Sequence, residues 1–166
     1  VFGQPGGADS AAADRIKRSL SAAGINCAIS GNIAAVQWTK LLWNAPFCAI
    51  SALSRADMKQ ILDSEPLTKL ALDCMTEVQA AALARGIDLP RDLFDQTIAF
   101  SRSLGSFKPS MLQDLEAGKP LEHEAFNGLV AKLLQRAGKP APVNQCLYGL
   151  LQQLDKKIRE EDERSL

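Results

Sequence analysis

Apolar residues recur along most of this chain at the three- and four-residue spacing of an amphipathic helix, in blocks separated by Gly, Pro, Ser and Asp. Asn32 can cap a helix that carries Ile33, Val36, Trp38, Leu41 and Leu42 on to about residue 53. Pro46 falls inside it, and a proline removes a backbone donor and crowds the preceding turn, so a kink is expected over 42–46. Ser54 or Asp57 starts a short segment through Leu62, and Ser64 with Glu65-Pro66 opens a long helix closed by Gly86. Pro90 opens a helix to about residue 104, followed by a Ser-, Gly- and Pro-rich loop. Three further helices are predicted over 110–117, 122–137 and 143–159; the second places Phe126, Leu129, Val130, Leu133 and Leu134 on one face and stops at Gly138. The terminal KKIREEDERSL is a charge run typical of a solvated, fraying end.

The first 30 residues break this pattern. Val1-Phe2-Gly3 and residues 26–29 lean towards strand, around a helix over 10–23 that ends at Gly24. Two strands bury too little surface to stand alone. Residues 1–30 therefore read as a strand-helix-strand remnant of a larger sheet domain, and residues 31–166 as a helical domain. Val1 in place of Met at the start fits a piece of something longer.

Composition narrows the function classes. The 166 residues are 46% hydrophobic and 23% charged, with 19 Lys plus Arg balanced by 19 Asp plus Glu, so nothing draws the chain to nucleic acid or to an anionic membrane. Apolar runs such as 41–43 and 80–84 fall far short of the roughly 20 residues of a membrane span. VFGQPGG lacks the basic and apolar regions of a secretory signal, and a cytoplasmic location is expected. Cys27, Cys48, Cys74 and Cys146 are widely spaced, which disfavours zinc or a redox dithiol and predicts mostly buried thiols.

Candidate chemistry concentrates in two stretches. In WTKLLWNAPFC, Lys40, Asn44 and Cys48 are spaced by four, so one helix carries a cation, a carboxamide and a thiol along one stripe. A buried ammonium without partners is costly, so either Lys40 extends to solvent beside Trp43 or it serves a site. In the second stretch, SMLQD begins at Ser110 just after Pro109, and Glu122 precedes Phe126-Asn127-Gly128. Ser110 and Glu122 both suit helix starts, as caps or as first-turn groups. His123 with Glu122 and Glu124 does not make a metal cluster, because consecutive helical side chains diverge, and no metal is expected.

Taken together, the exit segment VFGQPGG, the W-x-K-x-x-x-N helix, S-M-x-Q-D, the Glu twelve residues beyond the Ser and the N-G pair resemble the ketopantoate reductase (2-dehydropantoate 2-reductase) family over nearly the whole chain. The resemblance implies a mainly α fold, a helical bundle of the 6-phosphogluconate-dehydrogenase C-terminal-like type, joined to an N-terminal Rossmann domain. It implies NADPH as cofactor and a small 2-oxo acid as substrate. It makes Lys40 the general acid, Asn44 and Ser110 substrate contacts, and Glu122 a contact to the cofactor and substrate region. Many members have a second asparagine where this chain has Cys48, so the same position is expected at the substrate but with a weakly hydrogen-bonding thiol. That leaves ketopantoate and other branched 2-oxo acids open. The G-x-G-x-x-G cradle is absent, since Gly3, Gly6 and Gly7 have the wrong spacing, so these residues alone are expected to be inactive and to bind NADPH negligibly. Two other readings remain: a helical docking or homodimerisation module, and a related two-domain dehydrogenase acting on another 2-oxo acid.

Overall fold

The computed structural model describes residues 1–4, 11–90 and 92–164, with side chains to residue 160. The first residue of the helix predicted over 10–23, Gly6 and Gly7, and the last two residues of the terminal charge run lie outside the described residues. Eight α-helices and one π turn occur among the described residues: α1 (Ala11–Ala22), α2 (Ile33–Ser54), α3 (Met58–Asp63), α4 (Glu65–Ala84), α5 (Leu93–Ser103), α6 (Ser110–Glu116), the π turn Glu124–Gly128, α7 (Leu129–Arg136) and α8 (Pro142–Arg164). The chain divides into two compact units, Val1–Lys40 and Leu41–Leu166. The chain is mainly helical, as expected.

In the first unit no regular strand forms among the described residues. A parallel bridge joins Phe2 to Ile29, with Phe2 N donating to the Ala28 carbonyl (3.0 Å) and Ser30 N to the Phe2 carbonyl (2.8 Å). Gly3 is required by that approach, since a Cβ there would lie 2.6 Å from the Ser30 carbonyl oxygen. Gly24 ends α1 at φ 75°, where an L side chain would be strained. Asn32 caps α2 as expected: its Oδ1 accepts from Ala35 N at 3.0 Å.

The second unit is built around α4, which packs on α3, α7 and α8, while α8 also packs on α7 and the π turn. Phe47, Leu42, Ile50, Met58, Leu112 and Leu151 are among its fully buried side chains. Burying each such residue contributes roughly 1.5–3 kcal/mol. α2 continues as helix through Pro46. Asp57, one of the two predicted starts, begins α3 with a complete capping box: its side chain accepts from Gln60 N, and Gln60 Oε1 accepts from Asp57 N.

Three expectations are corrected. The helix predicted over 122–137 begins instead as a π turn, closed by Gly128 N donating to the His123 carbonyl (3.0 Å), and becomes α-helical only at Leu129. Ser110 is the first residue of α6 and not its cap, which is Pro109, and Glu122 lies before the π turn, outside any helix. Cys48 and Cys74 are buried as predicted, but Cys146 is exposed and Cys27 half-buried.

Candidate functional site

Lys40, Asn44 and Cys48 all lie on α2, each four residues from the next. Lys40 is exposed and Asn44 half-buried, and neither side chain forms a hydrogen bond or ion pair among the described residues. The half-buried Asn44 carboxamide is thus open to water or to a ligand. By contrast Trp43, between them, is engaged: its Nε1 donates to Ser101 Oγ at 3.0 Å, and Ser101 Oγ donates to the Thr97 carbonyl at 2.7 Å. Its ring also packs on Phe47 of the same helix at 5.6 Å, and the bond to Ser101 ties this part of α2 to α5.

Cys48 is brought next to Ser110. Its Sγ lies 4.0 Å from Ser110 Oγ, at the outer limit for a thiol hydrogen bond, so two of the residues picked from the sequence meet across α2 and α6. Cys48 itself is 0% exposed, whereas Ser110 is exposed, so the hydroxyl is the outermost group of the pair. Glu122 is exposed in the loop after α6, and its carboxylate forms no hydrogen bond or ion pair among the described residues.

That loop is held from below by Asp155 and Arg159, which the sequence did not single out. Asp155 of α8, almost fully buried, accepts from Leu121 N (2.7 Å) and from Arg159 Nε (2.8 Å). Burial pushes the Asp155 carboxyl up, but the Leu121 amide, the Arg159 guanidinium and nearby His123 outweigh it and hold it below the ordinary carboxylate value. His123 Nδ1 is bonded to the Leu121 carbonyl at 2.9 Å and its ring packs against Tyr148 at 5.7 Å. Glu124 is committed to Tyr148 and Lys132. Among the described residues no group of three or more His, Cys, Asp or Glu is placed to hold a metal ion. None of their helices is long and apolar enough to cross a membrane.

An apolar concavity lies elsewhere. A groove of about 490 Å³ is lined by Ile50, Leu53, Leu67, Leu70, Leu147 and Leu150 among others, and includes none of the five residues above. It lacks the convergent polar groups that catalysis requires.

Comparison with known proteins agrees with the motifs. The family model for the C-terminal part of ketopantoate reductase PanE/ApbA matches residues 32–155. A 2-dehydropantoate 2-reductase of Mesorhizobium japonicum is 32% identical over 153 residues, which cover 92% of this chain and 47% of that protein. The crystal structure of 2-dehydropantoate 2-reductase from Methylococcus capsulatus superimposes with a TM-score of 0.87 at 30% identity, covering 95% of this chain and 55% of that one. A ternary structure of D-mandelate dehydrogenase with NADH and anilino(oxo)acetate shares the fold, with a TM-score of 0.83 at 21% identity over 95% of this chain and 66% of that one. The chain thus spans about half the length of the curated relatives it matches. On this footing the chain belongs to the ketopantoate reductase family, and it is the family's helical C-terminal domain.

Proposed function

We propose that this domain is the substrate half of an NADPH-dependent 2-oxo acid reductase of the cytoplasm, with ketopantoate as the first candidate substrate and pantoate, a precursor of pantothenate, as its product. The observation that carries the reading is the set of polar side chains at the family motif positions, Lys40, Asn44 and Glu122, which make no hydrogen bond or ion pair among the described residues. Residues 1–30 belong, in this reading, to the edge of the dinucleotide-binding domain and residues 31–166 to the substrate domain. The pyrophosphate cradle lies in the other half, since Gly3 is used here for close approach to Ser30.

The nicotinamide cofactor supplies a hydride to the ketone carbon. Lys40 stands where negative charge develops on the ketone oxygen, donating a hydrogen bond to it and then the proton that completes the hydroxyl. Asn44 orients the Lys40 ammonium or a substrate hydroxyl, and Ser110 binds the substrate with Cys48 behind it. Glu122, an exposed and unengaged carboxylate, suits a ribose hydroxyl on the nicotinamide side. The buried thiol of Cys48, where many relatives place a carboxamide, favours a substrate that asks little hydrogen bonding there, so another branched 2-oxo acid is the second reading.

The test is steady-state reduction of a panel of 2-oxo acids by the chain joined to its dinucleotide-binding half, with NADPH and NADH in parallel. Preferred turnover of ketopantoate with NADPH supports the first reading, and preference for another branched acid supports the second. No reduction of any 2-oxo acid with either cofactor, together with a stable dimer in solution, would favour a docking module.

A further inference from the structure

The N-G pair of the sequence, Asn127-Gly128, has no part in the chemistry above, yet it sits in the π turn at the end of a buried hydrogen-bonded chain. Glu77 of α4 starts that chain: its carboxylate accepts from Val143 N and Asn144 N (both 2.8 Å) at the first turn of α8, and from Asn144 Nδ2 (2.7 Å). Donation to Glu77 fixes which end of the Asn144 carboxamide faces which way, so its Oδ1 is left to accept from Asn127 Nδ2 at 3.0 Å. The same Nδ2 donates to the Ala45 carbonyl of α2, also at 3.0 Å. Both asparagines are 0% exposed, and Asn127 Oδ1 has no partner among the described residues.

Ala45 lies between Asn44 and Pro46. Pro46 brings no N–H, so the Leu42 carbonyl loses its donor four residues on, and α2 lacks a rung at this point. A bond from outside the helix to the adjacent carbonyl fixes the backbone where its own ladder is interrupted. We propose that Asn127 is a positioning residue: it holds the Ala45 carbonyl and thereby sets the placement of Asn44 on α2, with Glu77 and Asn144 fixing the orientation of Asn127 itself. The directionality of the chain, carboxylate to amide to amide to carbonyl, supports this over generic packing, because an apolar residue would fill the space without tying α2 to α8. The inference rests on the reading of Asn44 as a substrate contact.

The experiment is a double-mutant cycle in the chain joined to its dinucleotide-binding half. N127L, with the same branching and number of side-chain heavy atoms but without the donor, is expected to raise the KM for the 2-oxo acid at least tenfold while changing the KM for the nicotinamide cofactor less than twofold. In an N44A background the same substitution is expected to change kcat/KM less than twofold, since the group being placed is gone. N127S, which can serve only one of the two acceptors, carries the same expectations if N127L does not fold. A loss of equal factor in both backgrounds, or N127L within twofold of the parent, overturns the inference. N44A that matches the parent sinks the reading of Asn44 and the inference with it, whereas a costly N44A beside a parent-like N127L sinks the inference alone.

Discussion

Gly128 is a glycine for lack of room, not for backbone freedom. A Cβ added there would lie 2.8 Å from Tyr148 Cε2, nearer than real contacts allow. Gly128→Ala is therefore expected to destabilise the domain by about 1–3 kcal/mol through overpacking, read from chemical denaturation. The same substitution in a Tyr148→Ala background is expected to cost less than about 0.5 kcal/mol; an undiminished cost there would point away from the ring. Asp155 offers a second test at this scale. Its folded-state pKa is lowered, so its contribution to stability is fully present above the ordinary carboxylate range and is lost as pH falls through the lowered value. Asp155→Asn is expected to cost about 1–3 kcal/mol at neutral pH, the usual scale for a buried bond to a charged group, and to flatten the stability profile below about pH 4. An unchanged acid limb in that variant would contradict the assignment.

The helical elements were largely legible, because their cues are local. Asn32 and Asp57 cap the helices they were expected to open, and Gly24, Gly86 and Gly138 adopt positive φ just past helix ends. The π turn was not legible: Phe126, Leu129 and Leu133 keep helical spacing, and nothing in that spacing reveals that Gly128 bonds five residues back or lies against the Tyr148 ring. Likewise Asn127, Asn144 and Glu77 are ordinary residues far apart in sequence, and only the packing of α4, α8 and the π turn joins them. Thiol labelling tests the packing of these elements. Cys48 and Cys74 are fully buried, and burial, reinforced by Glu77, pushes the Cys74 thiol up and away from reactive thiolate. Two thiols, Cys146 and Cys27, are expected to react in the native protein and all four in denaturant; four fast native thiols would contradict the core described here.

For the whole molecule, the motif residues were legible as a set because the W-x-K-x-x-x-N, S-M-x-Q-D and Glu pattern is distinctive, and the family match over residues 32–155 agrees with it. What the sequence did not reveal was the burial of Cys48: it is fully enclosed, with its thiol 4.0 Å from the hydroxyl of the exposed Ser110, so the role expected of it shifts from contact to support. The chain alone is expected to show no NADPH binding by calorimetry at micromolar concentrations, since it carries no glycine cradle for the pyrophosphate; micromolar affinity would move part of the cofactor site into this domain. The central claim, that this is the proton-donating half of a 2-oxo acid reductase, is tested most directly by the kcat of Lys40→Ala in the chain joined to its dinucleotide-binding half. The account predicts a fall of about 100- to 10,000-fold, the usual contribution of a general acid, with cofactor affinity unchanged. A kcat within a few-fold of the parent would contradict it.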